Sequence, residues 1–418
     1  MSGPPIRDGA VLVADDGRIS SVGADHSVPA PPEVPSQSFP DSILIPGLIN
    51  AHSHLELTGL DGRLTDPDFP TWIRGVRALK ASLPPEWFCQ AARQGVRDAF
   101  AAGITTVLDT GDSGAVLPAL AELGGSGIAY QEVFGPDPNQ LVESLAELES
   151  RVGALRRFET DRVRLGVSPH APYTVSGPLY RAVAELAARE RLPVAVHLAE
   201  SSAEHAFVSR GVGPFADAWL ARGIPPLERH GVPEALARRS PVAWLAANGV
   251  LGRDTLCIHT VQVDAQDIAL LAERGVAIAH CPRSNSTHRH GEAPLGPLRA
   301  AGIRIGVGTD SVLSGRLDLF AELRAARALG RLTAADALAL ATTGGAQLLG
   351  QEGEVGALVP GAYGDCVMLA ARVAADGSAE EAVLAASPDH VRATYVAGRQ
   401  VFCRPPSSEY QVSGIGYQ

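Results

Sequence analysis

The chain has 418 residues, enough to bury a large core, and a formal net charge of -11 at pH 7. That charge argues against nucleic acid or an anionic membrane as the main partner. The opening MSGPPIRDGAVLV lacks a basic start before a long apolar core, and no later run approaches the ~18 apolar residues of a membrane span, so the expected location is the cytoplasm.

Five cysteines, Cys89, Cys257, Cys281, Cys366 and Cys403, are widely spaced with no Cys-x-x-Cys pair, and are expected to be reduced and mostly core filler. Lys80 is the sole lysine, so any mechanism that needs a lysine at a strand end must use it. The stretch around it reads as helix or loop, away from any strand end.

Residues 1 to 42 hold short alternating segments, GAVLVADDGRISSVGA, with a turn at Asp15, Asp16 and Gly17, and then a Pro-rich connector. GALVPGAYGDCVMLAARV and DHVRATYVAGRQVFC, near the other end, read the same way. Neither piece carries a core of its own, so one small β-sandwich domain built from both termini is expected, over residues 1–48 and 352–418.

Between them, over 49–351, short β-rich runs alternate with Ala-, Leu- and Arg-rich helical stretches, the pattern of parallel β/α architecture. The runs, the first of which begins just ahead of this span, are ILIPGLINAHSH (43–54), ITTVLDTGD (104–112), IAYQEVFG (128–135), VRLGVSPH (163–170), PVAVHLAE (193–200), TLCIHTV (255–261), VAIAHCPRSN (276–285) and IRIGVGTDS (303–311). Eight such units predict a (β/α)8 TIM-type barrel. An open doubly wound sheet is the alternative, but no Gly-x-Gly-x-x-Gly turn follows the first run to hold a dinucleotide. GPLYRAVAELAARERL and ADALALATTGGAQLLG, after the fourth and eighth runs, have helical spacing. The linker from Ser201 to Asp254 is far longer than a simple crossover, and long barrel-top loops usually bound or gate a site.

The first run stops at two histidines one residue apart. On an extended strand, residues i and i+2 face the same side, so His52 and His54 can aim at one metal ion. His170 ends the fourth run, His197 and Glu200 the fifth, and His259 the sixth; His280 lies near the end of the seventh, and Asp310 ends the eighth. This fold gathers its active site at those strand ends. His26, His205, His230, His288, His290 and His390 fall elsewhere and read as surface or loop histidines, with His288 and His290 candidates for a loop near the mouth.

The ordered set PGLINAHSH, SPHAPYT, HLAE, IHTV, HCPRSN and GTDS, with PGAYGDCVML in the small β domain, resembles the amidohydrolase superfamily, and within it the mononuclear nucleoside and nucleobase deaminases. The resemblance implies that His52, His54, His197 and Asp310 bind one divalent metal, expected to be Zn2+ with Fe2+ or Mn2+ possible. It implies a proton-shuttling role for Glu200, stabilisation of the attacking water and oxyanion by His259, help in accepting the water's proton from Asp310, and a substrate contact at His170. His280 is expected to support the site rather than to ligate. Binuclear relatives carry a carboxylated lysine at the end of strand 4; Ser168, Pro169 and His170 stand there in this chain, which implies a single metal.

DFPTWIRGV (68–76) resembles the loop that covers the substrate's far end in these relatives, making Trp72 and Arg74 candidate contacts. GTDSVLSG, HLELTGL and CPRSN look most like the aminodeoxyfutalosine deaminase group, whose substrate is an adenine nucleoside with a carboxyphenyl tail, and Arg283 is a candidate partner for that carboxylate. The alternatives are deamination of S-adenosylhomocysteine, methylthioadenosine or adenosine, or a guanine deaminase or triazine chlorohydrolase-like metal hydrolase. The expected partners are thus a small aminopurine nucleoside, no nucleic acid and no membrane, with a homodimer allowed.

Overall fold

The computed structural model describes residues 3–227, 240–374 and 377–405. Eight parallel strands form one sheet: β4 Leu48–Ser53, β5 Ile104–Gly111, β6 Ser126–Val133, β7 Val163–Pro169, β8 Val194–Leu198, β9 Thr255–His259, β10 Ala277–His280 and β11 Arg304–Val307. Each pairs with its sequence neighbour, and a bridge between Ser53 and Asp310 brings the last edge back to the first. This is the expected barrel. Its interior is filled by alternate residues of the strands, among them Ile49, Ala51, Leu108, Ile128, Tyr130 and Ile258, while the outer strand faces pack against the helices.

Two antiparallel sheets lie outside the barrel. One is the hairpin of β1 Gly9–Val13 and β2 Ile19–Ala24; the other has the order β14-β13-β12-β3, with β3 Ile43–Pro46, β12 Cys366–Leu369, β13 Val391–Val396 and β14 Arg399–Cys403. Strand β3 pairs with β12, Pro46 opposite Cys366, so the two ends of the chain share a sheet. The hairpin is tied to the C-terminal region by Ile19 N–H to Ala362 O and Gly361 N–H to Ile19 O, both 2.8 Å.

The run 43–54 is therefore not one strand. It breaks at Gly47, where a Cβ would lie 2.2 Å from Thr105 Oγ1, so only glycine lets the chain leave one sheet and enter the other. A second difference follows β11, where the helical stretch splits into Ala334–Ala339 and Thr343–Leu349. The carbonyls of Leu340 and Ala341 accept from Val307 and Ile49 N–H, so barrel strands satisfy carbonyls that a continuous helix would have used.

After β8, the long linker forms the helices Ser202–Arg210, Pro214–Ala221 and Pro241–Ala247, with His230 outside the described residues. Among the described residues no helix is long and apolar enough to cross a membrane. The cysteines are free; Cys257, Cys281 and Cys366 are buried, and Cys89 and Cys403 are exposed.

Candidate active site

At the C-terminal end of the barrel, the rings of His52 and His54 lie 4.7 Å apart, centroid to centroid, and both approach His197, at 5.1 and 5.6 Å. Asp310 Oδ1 sits 3.3 Å from His52 Nε2 and 3.5 Å from His54 Nε2. His197 donates Nδ1–H to His170 O at 3.2 Å, and His54 Nδ1 meets Thr110 Oγ1 at 3.3 Å, so the protein engages the Nδ1 sides and turns Nε2 inward.

These residues fit a divalent ion. Burial drives the imidazoles neutral: it lowers His54 to about 3, His52 below its usual range and His197 well below it. His52 is completely buried, and among the described residues neither ring nitrogen makes a well-aligned hydrogen bond, although Asp310 Oδ1 lies 3.3 Å from Nε2. An orphaned imidazole is costly unless something else occupies its lone pair. Three neutral imidazoles and a carboxylate are a donor set that binds a transition ion and keeps a position open.

Backbone strain concentrates here. Ala199, His259, Thr260 and Asp310 have φ of +51°, +70°, +51° and +58°, conformations that cost a non-glycine residue on the order of 1–3 kcal/mol each. Hydrogen bonds between strand ends hold them: Asp310 N–H to His52 O at 3.0 Å, and Gln262 N–H to Ala199 O at 2.7 Å. Ser284 Oγ donates to Asp310 Oδ2, and His259 Nδ1 contacts Asn285 Oδ1 at 2.9 Å, so two residues of the HCPRSN segment orient side chains of neighbouring strands.

Glu200 is buried beside this group. Its Oε1 lies 3.4 Å from His259 Nε2 and 3.2 Å from His290 Nε2. Burial alone would raise its carboxyl, but the two imidazoles outweigh burial and hold it down at about 2. Beneath it, the carboxylate of fully buried Glu204 accepts the N–H of Ala199 and of Glu200, at 2.7 and 2.8 Å, and so fixes the strained strand end.

His170 lies against His197, with centroids 4.7 Å apart, and Thr174 Oγ1 meets its Nδ1 at 2.9 Å. His280 is buried, and burial lowers it to about 4. Trp72 packs 4.4 Å from His288, and His288 stacks on His290, so this aromatic group reaches the Glu200 carboxylate. Arg74 is exposed and donates to Thr71 Oγ1, whereas Arg283 reaches the buried Glu322 at 3.5 Å.

His290 lies in a loop of the connection after β10, but it is buried, about 5 % exposed, with Nε2 3.2 Å from Glu200 Oε1. Lys80 is not remote from the strand ends; from the helix Phe69–Ala81 it pairs with Glu56, two residues after His54, at 2.5 Å, and with Asp112, one residue after β5. The signal for Glu204 was present as a second glutamate four residues after Glu200, at the start of a helix. Nothing in local pattern marks His290, because its partner is 90 residues away.

The fold and site define a metal-dependent hydrolase built on a (β/α)8 barrel. The model of the amidohydrolase family matches residues 43–401, and the chain belongs to that family; it is a hydrolase acting on carbon–nitrogen bonds. A 5-methylthioadenosine/S-adenosylhomocysteine deaminase of Syntrophobacter fumaroxidans is 30 % identical over 383 residues, covering 86 % of this chain and 80 % of that protein. An aminodeoxyfutalosine deaminase of Deinococcus radiodurans is 33 % identical over 294 residues, covering 69 % of this chain and 68 % of that protein. Among solved structures, an adenosine deaminase from Xanthomonas campestris with bound zinc superposes with a TM-score of 0.77 at 25 % identity, covering 94 % of this chain and 88 % of that one.

Proposed function

We propose that this chain is a hydrolytic deaminase of 6-aminopurine nucleosides, with aminodeoxyfutalosine as its preferred substrate and a place in menaquinone synthesis by the futalosine route. The observation that carries the deaminase reading is the position of Glu200, buried with its Oε1 3.4 Å from His259 Nε2, next to the cluster of His52, His54, His197 and Asp310. In this reading His52, His54, His197 and Asp310 hold one zinc ion. When bound, the ion supplies Lewis acidity that brings the pKa of a water towards neutrality.

The remaining work falls to the protein. Glu200 takes a proton from the attacking water and delivers it to the ring nitrogen beside C6; the water's second proton goes to the exocyclic amine. A C–O bond forms, the C–N bond breaks, and one amine and one water become one carbonyl and one ammonia. Asp310 helps to accept the water's proton, and His259, its ring held by Asn285, stabilises the developing oxyanion. His170 contacts the nucleoside from the β7 side.

A carboxyphenyl tail requires an apolar wall and a cation. Trp72, packed on His288 at the site's rim, serves as the wall, and Arg74 or Arg283 as the cation. The Deinococcus relative supports this choice. The second reading, S-adenosylhomocysteine, methylthioadenosine or adenosine as substrate, is favoured by the Syntrophobacter relative, which matches more of the chain. Measuring kcat/KM for aminodeoxyfutalosine and for S-adenosylhomocysteine on the same preparation separates them. A clear preference for the former is expected; equal or reversed preference overturns the menaquinone assignment and leaves the deaminase.

A further inference from the structure

We propose that His290 is a positioning residue for Glu200, holding one oxygen of its carboxylate so that the other carries the proton. The proposal rests on the reading of Glu200 as the proton shuttle. Both nearby imidazoles meet the same oxygen: His290 Nε2 is 3.2 Å and His259 Nε2 3.4 Å from Oε1. That assigns transfer to Oε2. A glutamate side chain has three torsions to fix, and a general acid–base works only while it stays within hydrogen-bond reach of the proton it moves.

His290 is fixed through its main chain and by ring packing, while its Nε2, which lacks an aligned hydrogen bond among the described residues, faces Glu200 Oε1. Its main chain donates to Asn285 O at 2.9 Å, and its carbonyl accepts from Gln262 Nε2. Phe69 meets the ring edge-on at 4.4 Å, and His288 stacks on it at 5.5 Å. His288 is fixed in turn by Ser314 Oγ at 2.9 Å and by Trp72. Arg289, between the two histidines, has φ +56°, and Gly291 has φ +100°. This left-handed backbone is consistent with the near-parallel stacking of the two rings, 24° between planes.

Phe69 and Trp72 belong to the helix Phe69–Ala81, in the connection from β4 to β5, while Glu200 follows β8. His290 therefore links the segment proposed to cover the substrate with the proton-carrying group. It touches neither the proposed ligands nor the reacting atoms, and for that reason is a positioning residue.

The test compares His290→Leu, which has no donor, with His290→Gln, whose amide N–H reaches about as far as Nε2. Both are measured as purified holoenzyme by ammonia release from adenosine and from aminodeoxyfutalosine, with bound metal and thermal midpoint recorded, alongside Glu200→Gln. The expected result for His290→Leu is a loss of roughly 10- to 100-fold in kcat with little change in KM, part of what a general acid–base group contributes. Metal content should be unchanged, and His290→Gln should regain most of the loss. In the Glu200→Gln background, His290→Leu should cost almost nothing further, because the two act as a unit.

If Glu200→Gln loses at least ~10²-fold while His290→Leu turns over normally, the positioning role is wrong and the shuttle stands. Equal losses in His290→Leu and His290→Gln, or a rise in KM at unchanged kcat, also overturn the proposal. Near-normal turnover in Glu200→Gln removes the shuttle reading itself.

Discussion

Replacing Lys80 with methionine tests how the chain's only lysine supports the candidate site. Glu56 is fully buried and meets Lys80 Nζ at 2.5 Å; it also accepts the backbone N–H of Ser113 at 3.1 Å and of Asp112 at 3.3 Å. Burial pushes the Glu56 carboxyl up, but the ammonium outweighs burial and holds it below its ordinary value. Removing one member of a buried pair leaves an uncompensated charge and typically costs 3–5 kcal/mol. The remaining donors on Glu56 place Lys80→Met near the lower end, about 3 kcal/mol. With an unfolding entropy of about 2.1 cal/mol/K per residue, that is a fall of roughly 3–4 °C in Tm for a chain of this length.

The sign of the pH dependence follows from the same pair. In the unmodified protein the Glu56 carboxyl is depressed on folding, so its contribution to stability is present above its unfolded pKa and lost as pH falls through the folded value. Without Lys80, burial is opposed only by the hydrogen bonds from Asp112 and Ser113, the folded pKa is expected to rise above the unfolded one, and stability is then lost as pH rises from there. The deficit of Lys80→Met should therefore widen between about pH 5 and pH 8. The double variant Lys80→Met/Glu56→Gln, which removes the stranded charge, should recover most of it. Urea and thermal unfolding at both pH values measure these differences. A deficit that is independent of pH, or a double variant no better than the single, would refute the ion-pair argument.

His197→Ala should lose metal and activity together, and elemental analysis of the unmodified protein should give one equivalent per chain; two equivalents in the barrel would contradict a mononuclear site. Glu200→Gln should keep the metal while losing at least ~10²-fold in turnover. We also propose that the terminal segments are one folding unit, so deleting residues 352–418 should raise amide exchange across residues 9–24, which pair with that region through Ile19 and Gly361. Unchanged exchange there would mean that the hairpin stands without it.

The barrel was legible because its signal is repeated: eight β-rich runs alternating with helical stretches point to a parallel sheet whatever becomes of any one of them. The break at Gly47 was not legible, since the apolar run reads through it and only the approach of Thr105, 58 residues on, requires glycine. His52, His54, His197, Glu200, His259 and Asp310 could be picked out because each sits at a strand end. His290 and Lys80 could not. The first reaches Glu200 from the connection after β10, the second reaches Glu56 from the helix Phe69–Ala81, and side chains projecting from outside a strand leave no periodic trace. Arg283, chosen for its charge and neighbouring motif, lies 3.5 Å from Glu322, a partner that no local pattern announces.

The central claim is that a single metal, with Glu200 as proton carrier, releases ammonia from a 6-aminopurine nucleoside. It is tested most directly by stripping the protein of metal with a chelator, titrating zinc back, and following ammonia release from aminodeoxyfutalosine, S-adenosylhomocysteine, methylthioadenosine and adenosine. The stripped protein should release no ammonia, and recovery should saturate at one equivalent of zinc per chain, with a 6-oxopurine nucleoside as product. Ammonia release that persists without metal, or a fully loaded protein that deaminates none of the four, would contradict it.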